Sequence, residues 1–87
     1  MEQGTLINNL ITQDNPQFSL QGLVRPCFQN QGTQTVYIGN RKVLPNEEYR
    51  VAANVILTNE IAIEFEKVAN KTNLLWLGAV KVLTPKI

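Results

Sequence analysis

The sequence predicts an all-β fold: a small single-domain β-sandwich, or a partly open barrel, with an extended N-terminal arm. Three observations predict it. Short apolar runs recur about every 8–12 residues, each bounded by Gly, Pro, Asn or Asp. Residues 61–65 alternate strictly, with Ile61, Ile63 and Phe65 set against Ala62 and Glu64, which is the period of a half-buried strand. Sustained helical periodicity is absent. The only helix-spaced set is Leu6, Ile7, Leu10 and Ile11; Asn8 and Asn9 weaken it, and Asp14-Asn15-Pro16 ends it.

Residues 1–20 are therefore read as an arm, anchored by those four apolar side chains, and residues 21–87 as the sandwich domain. The arm cannot bury both faces alone, so it is expected to reach a neighbouring molecule or lie over its own domain, the neighbour being favoured. Leu23 to Gln29 is the first domain strand. Pro26 inside it cannot donate a ladder hydrogen bond and demands a sheet edge or a bulge. Asn30-Gln31-Gly32-Thr33 reads as a turn, with Gly32 free to take positive φ, leading into Gln34 to Ile38. The two strands are expected to form a hairpin.

Gly39-Asn40-Arg41-Lys42 interrupts the pattern. Pro45-Asn46 has the chemistry of a type II turn, in which proline presets φ and asparagine tolerates the left-handed region. Glu47 to Val51 resumes the extended chain, and Val55-Ile56-Leu57 adds a short apolar strand. After the strand at 61–65, Asn70-Lys71-Thr72-Asn73 turns the chain into Leu74 to Leu83. That last strand is apolar on both alternating faces. Either a bulge at Gly78 collects Leu75, Leu77, Val80 and Val82 on one core, or strict alternation leaves Leu75, Leu77 and Leu83 uncovered. The core is expected to draw on Val36, Ile38, Ile61, Ile63, Phe65 and Val80.

Composition narrows the function. At 87 residues the chain hides only about 60% of its unfolded surface, so its core is thin. Eight Lys/Arg against seven Asp/Glu give a net charge of +1 without a basic block, which argues against binding nucleic acid or anionic membrane through charge. No stretch is apolar enough for long enough to span a bilayer. With no histidine, one aspartate (Asp14) and one cysteine (Cys27), a histidine triad, a Cys/His zinc site and an internal disulfide are excluded. No catalytic residue, cofactor or metal ligand is expected. Glu47 and Glu48 point to opposite faces of a strand, and Glu64 and Glu66 form a solvated row. Ten Asn and seven Gln replace the missing charges, and they can hydrogen-bond across a contact without burying an ion. No secretory signal is visible, so Asn70-Lys71-Thr72 is not expected to carry a glycan.

A resemblance adds to this. The run Phe28-Gln29-Asn30-Gln31-Gly32-Thr33-Gln34-Thr35-Val36-Tyr37-Ile38-Gly39, followed by Leu44-Pro45-Asn46-Glu47-Glu48-Tyr49, resembles a pattern in small virion proteins of tailed bacteriophages. There an "N-x-G-T-x-x-V-Y-I-G" segment precedes an "L-x-P-G-E-x-Y" turn; Asn46 stands where glycine is usual. The likeness covers Leu23 to Val51, about a third of the chain. The Asn-, Lys- and Ile-flavoured composition is compatible with phages of gut Bacteroidetes, including the crAss-like group. The resemblance implies a non-enzymatic structural protein of the virion, assembled in the host cytoplasm. It would be a capsid auxiliary or decoration protein, or a head–tail or fibre component, binding the major capsid protein, other virion proteins or copies of itself. It transfers no catalytic residue.

The expected partner-binding residues are Leu6, Ile7, Leu10, Ile11, Trp76 and Leu77, and deleting residues 1–15 is expected to leave a folded domain that loses its partner. The alternative is a recognition module whose exposed aromatics bind carbohydrate or a cell-surface protein. A third reading is a single-stranded nucleic-acid barrel using Tyr37, Tyr49, Arg25, Arg41, Lys42 and Arg50.

Overall fold

Eight strands form in the computed structural model, which describes residues 3–52 and 54–83. They are β1 (Gln3–Ile11), β2 (Asn15–Ser19), β3 (Leu23–Asn30), β4 (Val36–Ile38), β5 (Arg41–Val43), β6 (Glu48–Arg50), β7 (Glu60–Phe65) and β8 (Leu75–Leu83). They make two four-stranded antiparallel sheets, one in the order β1-β8-β3-β6 and the other β2-β7-β4-β5. The pairs β1·β8, β2·β7, β3·β6 and β4·β5 are those of one long antiparallel ribbon folded across both sheets. This is jelly-roll topology, an all-β solution that closes a core between two stacked sheets. Met1, Glu2 and residues 84–87, the outer ends of the expected arm and domain, lie outside the described residues.

The expected arm is extended and is built into the fold. Residues 3–11 pair with β8 without a register break, and β2 pairs with β7. The chain thus packs this segment on its own domain rather than holding it out. Between the sheets lie Leu20, Leu23, Phe28, Val36, Ile38, Val43, Ile63, Phe65, Leu75, Leu77 and Ala79. Phe28 sits at the centre, edge-on to Phe18 at 6.4 Å and stacked on Tyr49 at 6.3 Å between ring centroids.

Several expectations change here. The segments around Pro26 and Val36 do not form a hairpin: β3 and β4 belong to different sheets, and Gln31–Thr35 crosses between them. Gly32 does not use positive φ. It is needed because a Cβ there would collide with the Thr72 carbonyl oxygen and the Leu74 nitrogen. The hairpin is instead β4–β5, turned by Gly39-Asn40 with Gly39 at φ +62°. Val55–Leu57 forms no strand; Leu57 joins the core margin through Leu57 N–H to Leu23 O at 2.9 Å, while Val55 and Ile56 are exposed.

Pro26 is accommodated by a bulge, not an edge. Three steps along β3 from Val24 to Cys27 match two on β8, and Arg25 takes φ 51° there. Gly78 carries no bulge, because β8 stays in register with β1 throughout. The type II turn forms as expected, with Asn46 at φ 68° and Glu47 N–H to Leu44 O at 3.0 Å.

Asn30, fully buried, ties the crossing between the sheets. Its Nδ2 donates to Gln34 O at 2.7 Å and Val43 O at 3.1 Å, and its Oδ1 accepts from Gly32 N–H at 3.1 Å. Buried Gln34 presents its amide to both backbone groups of Val68, as a strand partner would. The residues that carry the phage resemblance thus serve the fold: Asn30, Gly32 and Thr33 shape the crossing, Val36 and Ile38 fill the core, and Gly39 turns the hairpin.

Candidate docking face

Strict alternation in β8 sends Leu75, Leu77 and Ala79 inward and Trp76, Gly78 and Val80 outward. In the antiparallel register, Leu10 lies beside Trp76, Asn8 beside Gly78 and Leu6 beside Val80. The β3 side of β8 continues all three rows, placing Gln29 beside Trp76, Cys27 beside Gly78 and Val24 beside Val80. The outer face of the first sheet therefore carries an apolar stripe along its β1–β8 side. Leu6 is 70% exposed, Leu10 63% and Val80 42%. The Trp76 indole lies down over Gly78, so closely that a Cβ on residue 78 would run into its ring. That places a broad apolar ring flat on the sheet.

Of the sequence-predicted partner residues, Leu6 and Leu10 stand on this face and Trp76 lies within it. Ile7 and Ile11 are half-buried, pointing inward against the core. Leu77 is fully buried between the sheets and is not available to a partner, since β8 presents its odd-numbered residues inward. Val80, expected in the core, belongs to the exposed stripe instead. The signal that could have found it was its even spacing from Trp76, read with an unbulged Gly78.

No charged residue occurs within Gln3–Ile11 or between Leu75 and Val80. Desolvating the stripe therefore costs no buried ion. Charges flank it on β6, where Glu48 and Arg50 pair at 3.4 Å and Cys27 Sγ–H donates to Glu48 Oε2 at 3.3 Å. Burial and the neighbouring Glu48 carboxylate push the Cys27 thiol above its ordinary range, which disfavours its thiolate.

The aromatic and basic residues of the nucleic-acid reading are divided between two places rather than gathered on one surface. Tyr37 faces outward on the second sheet beside Lys42 and Glu64. Tyr49 is packed against Phe28 on the other sheet, with the Arg41 guanidinium 5.2 Å from its ring centre. Among the described residues, no three His, Cys, Asp or Glu side chains converge as a metal site would require. A shallow depression of about 360 Å³ on the second sheet is lined by Tyr37, Gly39, Asn40, Ala62 and Glu64. No family model matches the chain, and comparison with curated proteins and with solved structures gives no match.

Proposed function

We propose that this chain is a non-enzymatic structural protein of a tailed-phage virion, an auxiliary or decoration subunit. It docks on the major capsid protein or on neighbouring copies through the outer face of its first sheet. The observation that carries this reading is the uncharged stripe of Leu6, Leu10 and Val80 beside the flattened Trp76 indole. Three such large aliphatic side chains gathered around an aromatic ring on one face have the character of the desolvated centre of an interface. Jelly-roll topology, used by capsid domains among others, supports the reading by analogy of fold, and the phage-like motif agrees with it.

The test is binding to purified phage particles that lack the protein. Leu10→Ser should reduce the bound copies per particle at least tenfold while leaving the circular dichroism spectrum unchanged. Wild-type protein that fails to bind such particles overturns the reading.

The depression on the second sheet favours one alternative. Tyr37, Asn40 and Glu64 combine a ring face, an amide and a carboxylate, the groups that bind a sugar. A glycan array probed with wild-type protein, Tyr37→Ala and Trp76→Ala separates the two: glycan binding lost in Tyr37→Ala supports recognition, and a blank array removes it.

A further inference from the structure

The four sheet edges are not alike. An open edge offers unpaired N–H and C=O groups to another strand, and proteins blunt such edges with short length, charge, proline or bulges. Three edges here are blunted. β5 is three residues long and carries Arg41 and Lys42; β6 is three residues long and carries Glu48 and Arg50. β2 contains Pro16 and a register break between Asn15 and Phe18. β1 has none of these devices. It runs nine residues without charge, proline or bulge, and among the described residues no strand lies on its outer side.

We propose that β1 pairs antiparallel with β1 of a second copy of this chain, joining the two first sheets into one eight-stranded sheet across a two-fold axis at Asn8. The inference rests on the docking reading of the outer stripe and names one partner for it. Symmetry and pleat select the register. A two-fold normal to the sheet preserves its faces, so a residue must oppose one of the same parity. Centred on Asn8, the pairing sets Leu6 opposite Leu10 of the partner subunit, and Leu10 opposite Leu6 of the partner subunit. Centring on Ile7 sets Leu6 against Asn8 of the partner subunit, and centring on Asn9 sets Leu10 against the same residue. Only the Asn8 axis seats both leucines on leucines. It also places the two Asn8 amides side by side on the outer face. Either type of antiparallel residue pair fits at the axis, so hydrogen-bond phase raises no conflict.

The second copy suits this edge because both sides are uncharged, so no ion is buried and no like charges meet. The joined rows would run Trp76, Leu10, then Leu6 and Val80 of the partner subunit, continuing the stripe across the axis. Pairing along one edge covers less than the ~800 Å² per partner of a standard complex. The dimer expected is therefore weak and concentration-dependent.

The experiment is light scattering after size exclusion over a hundredfold concentration range, with charge variants at the two exposed leucines. The wild type should pass from monomer to dimer. L6K/L10K sets cation against cation at both symmetric contacts and should weaken the dimer on the order of a hundredfold. L6K/L10E sets cation against carboxylate in the Asn8-centred register and should restore it in a salt-sensitive way. As a second readout, N8C in a C27S background should form an intermolecular disulfide when diamide oxidises the two thiols, because directly opposed strand residues meet the required separation. A wild type that stays monomeric, a dimer indifferent to L6K/L10K, or N8C that does not cross-link faster than L10C would overturn the proposal. A monomer that still binds particles overturns the paired edge and leaves the docking reading standing. A dimer that never binds particles does the reverse.

Discussion

Asn30 shows how much one side chain can carry. It is fully buried, and its amide serves Gln34 O, Val43 O and Gly32 N–H, while its backbone bonds Glu47 O and accepts from Asn46 N–H. Asn30→Ala would take the side-chain donor from two buried carbonyls, Gln34 O and Val43 O, while Gly32 N–H keeps its bond to Leu74 O at 2.9 Å; each orphan costs about 1–3 kcal/mol, less whatever relaxation recovers. We expect a net loss of about 2–4 kcal/mol in urea unfolding; a loss below about 0.5 kcal/mol would mean that water replaces the amide. Asp14 sets the response to acid. Its Oδ2 lies 2.8 Å from Lys67 Nζ and its Oδ1 accepts from Phe65 N–H at 2.9 Å, and these bonds hold its pKa below the ordinary 3.8. A depressed carboxylate contributes stability that is present above its unfolded pKa and is lost as pH falls through the folded one. The contribution should therefore be whole at neutral pH and disappear below about pH 4, and Asp14→Asn should flatten that part of the stability profile. The pair is exposed, so the step should be small. An unchanged acid profile in Asp14→Asn would remove Asp14 from the account.

Among the elements, β1 has the largest consequence. The arm expectation implied that residues 1–15 could be removed without unfolding the domain, and the strand register argues for the opposite outcome. β1 pairs with β8 at every position from Gln3 to Ile11, and Ile7 and Ile11 cover the core margin. Two half-buried isoleucines contribute about 2–3 kcal/mol before any ladder bond is counted, against a whole-domain stability of about 5–15 kcal/mol. Deletion also removes the Asp14 clasp and bares the long β8 edge. The truncated chain should lose its β-sheet circular dichroism or aggregate; a soluble, cooperatively melting product would show that β8 tolerates an open edge.

For the molecule as a whole, jelly-roll pairing makes the first strand close on the last and the second on the seventh. Such contacts are distant in sequence, and closing long loops before contacts reward them slows folding. Refolding from urea should take about milliseconds to seconds, as for other non-local β-folds. A microsecond relaxation would mean that local structure, not strand closure, limits the rate. The extents of 51 × 21 × 18 Å give the molecule a long axis.

Local chemistry in the sequence determined much of where the chain extends and turns, but not that Arg41–Val43 forms a strand and Val55–Leu57 does not. The alternation at Ile61, Ile63 and Phe65, the type II turn at Pro45-Asn46 and the break in regular pairing demanded by Pro26 all follow from φ preferences and side-chain period, which neighbours in sequence set; that the break is a bulge and not an edge was decided by the sheet. The same local chemistry identified Leu6, Leu10 and Trp76 as surplus apolar side chains. Tertiary structure alone decided which strand joins which sheet, and so which face each residue shows. It turned an expected hairpin at Gly32 into a crossing, seated β1 beside β8, buried Leu77 and exposed Val80. The physical reason is the two-residue period of a strand. Pattern specifies that two faces exist, but only pairing with distant strands specifies which one meets the core.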